Sequence, residues 1–166
     1  EIPIADSRVL LEPRVLAKMI EEAEVDARDL VLDLAPGTGY STAVLAHIAE
    51  AVVAIEPEDS LARLAQETLA ALEVDNAAVS TGDPALGERA HGPFDVIFLN
   101  GAVERLPEGL AEQLKPGGRL VALFAEGGAG KCRVITRSRG AFTERDVFDA
   151  TAPVLPGFER PAMFEF

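Results

Sequence analysis

Val31-Leu32-Asp33-Leu34-Ala35-Pro36-Gly37-Thr38-Gly39-Tyr40 decides the fold of this 166-residue chain. An apolar run carries an acid near its end, crosses a loop of small residues with two glycines, and enters a segment of helical character. Strand, tight turn and helix in that order bring backbone N–H groups and a helix N-terminus toward a ligand. Asp33 is the discriminating residue. Dinucleotide sites that take nicotinamide keep this strand end apolar and carry their acid on the next strand. Here the next apolar run, Ala51 to Glu56, also closes on an acid. Acids at both strand ends suit a ligand with a cationic amino-acid head and a ribose.

The residues on either side extend the same pattern. Val15, Leu16, Met19, Ile20 and Ala23 recur at helical spacing from Pro13 to about Glu24, with Pro13 suited to a first turn. Asp29 to Asp33 predicts a strand, Tyr40 to Ala49 its helix, Ala51 to Glu56 a second strand and Glu58 to Leu72 a third helix rich in Ala, Leu and Glu. Asn76 to Thr81 predicts a strand and Gly82-Asp83-Pro84 a turn. Phe94 to Leu99 is a strand apolar everywhere but Asp95, and Glu108 to Leu114 a short helix closed by Pro116-Gly117-Gly118. Arg119 to Ala125 and Cys132 to Ser138 predict strands around a turn at Gly127-Gly128, and the tail from Phe142 to Phe166 is expected to be extended. Strands alternating with helices, then consecutive strands, imply an α/β fold: a doubly wound, mostly parallel, Rossmann-like sheet with helices on both faces and an antiparallel C-terminal end. The expectation is one domain over residues 1–166, with no repeat or low-complexity segment.

Composition narrows the function. The net charge of −13 disfavours nucleic acid and anionic membrane surfaces, because phosphate binding needs a basic stripe. One cysteine, Cys132, excludes a disulfide framework, and His47 and His91 are too far apart for helical ligand spacing, so no metal site is expected. No apolar run suits a membrane span or a signal peptide, and a cytoplasmic enzyme fits.

In an open α/β sheet, ligands bind beyond the carboxyl ends of the strands near the switch in strand order. Asp33, Glu56 and Asp83 fall at or just beyond three such ends. Asp33 is placed to hold a cationic amino group, Glu56 both ribose hydroxyls, and Asp83 the amino group of an adenine. Charge-assisted bonds of this kind contribute roughly 1.5–3 kcal/mol each, enough together for a micromolar ligand. The set points to S-adenosyl-L-methionine. Taken singly, each residue has a plainer reading: Gly37 and Gly39 a simple turn, Glu56 a helix cap before Pro57, Asp83 a turn residue before Pro84. Their combination in order is what favours the cofactor.

With these residues in place, the chain resembles the class I methyltransferases, and within them the protein-L-isoaspartate O-methyltransferase family. Val31 to Tyr40 matches the first cofactor motif, Ile55-Glu56 the second and Gly82-Asp83 the third. Pro93-Phe94-Asp95-Val96-Ile97 and Leu114-Lys115-Pro116-Gly117-Gly118-Arg119-Leu120 add further matches. Ile2-Pro3-Ile4 and Leu10-Leu11-Glu12-Pro13 fit the segment before the family's first central helix. The likeness spans nearly the whole chain but lacks the family's N-terminal helical portion. It implies cofactor contacts at Asp33, Ala35, Gly37, Gly39, Tyr40, Glu56 and Asp83. It also implies methyl transfer to the free carboxylate of isoaspartyl residues in damaged peptides or proteins, after which the ester collapses to a succinimide. A carboxylate is already ionised at neutral pH, so the absence of a His–Asp or Ser–His pair is no objection. Orientation alone supplies roughly 7–11 kcal/mol.

Three departures from the family pattern are visible. Ala35 stands where the loop usually has its first glycine, and Pro84 replaces a frequent glycine after Asp83. Leu11 and Val9 stand where the family usually has serine and threonine, whose hydroxyls lie beside cofactor and substrate. Arg8 and Arg14, with Ser7 and Lys18, surround that segment. Arg8 or Arg14 is expected to pair with an anionic substrate, an ordinary surface role being the alternative. Asn100, in Asn100-Gly101-Ala102 after the apolar strand, is the remaining substrate-cleft candidate. Two other readings stay open: a methyltransferase with a different acceptor, and a cofactor-binding adaptor without catalysis. A nicotinamide dehydrogenase is disfavoured by Thr42, which stands where a third glycine is needed.

Overall fold

The computed structural model describes residues 2–161. A two-stranded hairpin, β1 (Ile2–Ala5) and β2 (Arg8–Leu10), precedes helix α1 (Pro13–Ala23). There follow β3 (Leu30–Leu34), α2 (Tyr40–Ala46), β4 (Ala51–Glu56), α3 (Asp59–Ala71), β5 (Ala77–Thr81), β6 (Phe94–Val103), β7 (Leu114–Glu126), β8 (Ala129–Ser138) and β9 (Ala141–Asp149). Seven strands form one sheet in the order β5-β4-β3-β6-β7-β8-β9. The pairs from β5 through β7 are parallel, and β7/β8 and β8/β9 are antiparallel.

The chain winds outward from β3 through β4 to β5, then returns to place β6 on the other side of β3. That reversal opens the ligand crevice beyond the carboxyl ends of β3 and β6. Register aligns Asp33 with Ala54 on one side and Phe98 on the other.

Alternation along the strands divides the core. Val31, Val52, Val96, Phe98 and Val121 face Leu16 and Met19 of α1 and Leu45 and Ala46 of α2. Ala54 and Val79 on the same face receive Ala62, Ala65 and Leu69 of α3. Leu32, Leu34, Ile97, Leu99 and Leu120 face the other way, where Leu110, Leu155 and Phe158 pack on them. Both faces are therefore covered, but unequally: three α-helices on one, and 3-10 turns with the C-terminal coil on the other.

Several elements differ from the sequence expectation. The helix expected at Glu108 to Leu114 reduces to a 3-10 turn at Ala111–Gln113, because Gly109 takes φ +81 just after Pro107 and leaves too short a run. Pro116-Gly117-Gly118 lies inside β7 and does not close a helix. β6 continues past Leu99 to Val103, so Asn100-Gly101-Ala102, expected after the strand, is an irregular stretch of it. The expected extended tail is first a true strand, β9, in register with β8; Leu155 and Phe158 then dock on β6 through bonds from Leu155 to Ala102 and from Glu104 to Phe158. Residues 162–166 of that tail lie outside the described residues.

Candidate cofactor site

The glycine loop is shaped by backbone conformation and close packing. Gly37 and Gly39 sit at φ +63 and +86, where an L side chain is strained. A Cβ on Gly39 would lie 3.0 Å from the Cβ of Ala65, so this glycine lets the start of α2 approach α3. A Cβ on Gly37 would collide with the Ile4 side chain, which covers the loop from the hairpin. Ala35 also holds a positive φ, +56, with its amide donating to the Ile55 carbonyl at 2.8 Å. This position asks for a glycine-like backbone and receives alanine at a cost of about 1 kcal/mol.

Glu56 ends β4 fully buried. Arg8 donates to both of its oxygens, Nη1 to Oε1 at 2.9 Å and Nη2 to Oε2 at 3.0 Å. The amide of Gly37 donates to Oε2 at 2.8 Å, and that of Glu58 to Oε1 at 3.1 Å. Arg8 Nη2 also donates to the Ala35 carbonyl at 3.0 Å. Arg8, expected to face an anionic substrate, thus has an internal carboxylate as its partner and is itself only 5% exposed.

Asp33 is enclosed completely. Oδ2 accepts from the hydroxyls of Ser41 at 2.9 Å and Thr42 at 2.7 Å, and Oδ1 accepts from the Asn100 amide at 2.5 Å. Burial pushes its carboxyl up to about 6, against the pull of those three donors, with the nearby Glu56 charge adding to the rise. That Ser41 and Thr42 both donate to Asp33 escaped the sequence reading. Their signal is two hydroxyls opening the helix that follows the acid's own strand.

Asp83 lies exposed beyond β5, its carboxylate accepting from the Ala85 amide at 2.9 Å and stabilising a 3-10 turn at Pro84–Leu86. Tyr40 is exposed at the start of α2. Leu11 is 4% exposed and belongs to the core beneath α1. Arg14 is solvent-facing with Glu12 at 3.3 Å. Leu11 and Arg14 border one open cleft of about 340 Å³ with Asp149, Ala150 and Thr151, and neither Arg8 nor Asn100 lines it. The substrate candidates therefore separate: Leu11 and Arg14 at this cleft, Arg8 on Glu56, Asn100 on Asp33. Cys132 is buried, and burial pushes its thiol up to about 12, so it is no nucleophile.

The central parallel sheet, its switch point and the strand-end acids define the class I methyltransferase fold. One solved protein-L-isoaspartate O-methyltransferase superposes on 87% of this chain and 47% of its own, with a TM-score of 0.81 and 24% identity. A Plasmodium falciparum structure described as a putative protein-L-isoaspartate O-methyltransferase in complex with S-adenosyl-L-homocysteine covers 93% of this chain and 82% of its own, with a TM-score of 0.76 and 21% identity. Among sequence relatives, the protein-L-isoaspartate O-methyltransferase of Pelotomaculum thermopropionicum is 41% identical over 73% of this chain and 53% of its own. That of Vibrio campbellii is 38% identical over 75% of this chain and 60% of its own. The family model for protein-L-isoaspartate (D-aspartate) O-methyltransferase matches residues 2–151, and the chain belongs to that family. It spans little more than half the length of these two relatives.

Proposed function

We propose that this chain is the S-adenosyl-L-methionine-binding domain of a methyltransferase that esterifies a free carboxylate, that of L-isoaspartyl residues in damaged peptides and proteins. The observation that carries this reading is the set of strand-end acids at the switch point of a chain in this family. Glu56 at the end of β4 would hold the ribose hydroxyls, and exposed Asp83 the adenine amino group. Asp33, already engaged with Ser41, Thr42 and Asn100, would act by fixing the loop and by its charge. When bound, the cofactor supplies an electrophilic methyl group.

The chain's own residues have then to seat the acceptor and exclude water, since an ionised carboxylate needs no base. Arg14, exposed at the cleft beside Leu11, is the cation this reading gives to that acceptor, which would have to draw it from Glu12 at 3.3 Å in a cleft that Asp149 also lines. Buried Leu11 favours a second reading, a different carboxylate acceptor, because it offers no hydroxyl to the cleft. The Arg8–Glu56 pair favours a third, an adaptor that no longer turns over. A cytoplasmic setting belongs to the same proposal; among the described residues no helix is long and apolar enough to cross a membrane.

The test is methyl transfer from labelled S-adenosylmethionine to an isoaspartyl peptide, with its aspartyl twin as control. Selective labelling supports the repair reading. Label on neither peptide, with cofactor bound, overturns it in favour of the other two.

A further inference from the structure

We propose that Arg8 is a built-in competitor for the ribose site, and that the β1–β2 hairpin is a strap which the cofactor must release from Glu56. This rests on the cofactor reading above. A carboxylate has about four acceptor positions. Those of Glu56 are taken by Arg8 Nη1, Arg8 Nη2, the Gly37 amide and the Glu58 amide. Two of the four are backbone bonds that hold the glycine loop and the start of α3 in shape. The two given to Arg8 are the ones a vicinal diol can replace, because a bidentate guanidinium and a pair of ribose hydroxyls both present two donors to one carboxylate. No position is left for the diol while Arg8 stays.

The hairpin is made to come away. Among the described residues its two strands, four and three residues long, pair only with each other, a unit marginal on its own in water. Beyond that pairing, β2 touches β6, with Val9 and Leu10 half-buried, and the hairpin is held to the loop by Arg8 on Glu56 and on the Ala35 carbonyl and by Ile4 over Gly37. Ile2, Pro3, Asp6 and Ser7 face solvent. Opening of so short a hairpin is cheap only when a ligand supplies Glu56 with two replacement donors, because releasing Arg8 without them leaves a buried charge unpaired. The same two side chains cover the ribose acid and the glycine loop, so cofactor and strap exclude one another.

Calorimetric titration with S-adenosylhomocysteine, on the full chain and on its Arg8→Gln variant, tests this. The expected result is at least tenfold tighter binding by Arg8→Gln, with Arg8→Lys in between. Equal or weaker binding by Arg8→Gln overturns the competition while leaving the cofactor reading intact. Binding by neither protein overturns the cofactor reading and this inference with it. Because removing Arg8 leaves a buried charge unpaired and can impair folding, hydrogen exchange on the unsubstituted protein gives an independent check. Amides of residues 2–10 should exchange faster when S-adenosylhomocysteine saturates the protein. Slower or unchanged exchange on saturation contradicts release of the strap.

Discussion

Asn100 reaches from β6 to donate its amide to Asp33 at 2.5 Å, tying together the two strands that flank the switch point. With Ser41 and Thr42 on the other oxygen, the acid at the centre of the site is held from three sides. It organises the crevice from within while facing no solvent.

That burial sets a pH dependence. Asp33 titrates near 6 in the fold against 3.8 for an ordinary aspartate, so the folded protein binds this proton more tightly than the unfolded chain. Its contribution is fully present below about 4 and is lost as the pH rises through about 6. Each tenfold difference in proton affinity is worth about 1.4 kcal/mol. Urea unfolding of the protein and of Asp33→Asn, compared from pH 4.5 to 7.5, should show the wild-type advantage shrinking by about 2 kcal/mol. An advantage that grows with pH would contradict the assignment.

Gly39→Ala combines a left-handed backbone with a Cβ brought against Ala65. A loss of about 2–3 kcal/mol is expected, measured as a lower Tm. Trimming Ala65 to Gly in the same chain should recover only part, because the φ of +86 remains.

Leu11→Ser would restore the residue usual in the family at a position that here is core. A cavity beside Leu16 and Met19, with a hydroxyl in it, should cost about 2–4 kcal/mol in chemical denaturation. A neutral outcome would mean that residue 11 is not packed in the core in solution.

Asp83→Ala separates binding from stability. Loss of the bond to the Ala85 amide should cost about 1 kcal/mol at an exposed turn. Loss of an adenine contact should weaken S-adenosylhomocysteine roughly tenfold or more, since a bond to a charged group contributes about 1.5–3 kcal/mol. Unchanged affinity would confine Asp83 to its turn.

Much of this was legible in the sequence. The second strand runs Ala51–Glu56 as read, because a continuous apolar run between polar turns admits no other register. Positions of the acids at the strand ends followed from the same pattern. β9 was missed as a strand because its residues from Ala141 to Asp146 are all exposed, and no alternation marks them. The hairpin was missed because three- and four-residue strands carry too little pattern. What the acids touch was not legible at all. Arg8 and Glu56 stand 48 residues apart, and nothing local distinguishes an arginine that faces substrate from one that fills an acid's remaining lone pairs.

A crystal structure of the chain with S-adenosylhomocysteine tests the account most directly. It should show the ribose hydroxyls on Glu56, the adenine amino group near Asp83, and Arg8 beyond hydrogen-bonding distance of Glu56. Ligand bound with the Arg8–Glu56 pair still closed, or bound away from the ends of β3 and β4, would contradict it.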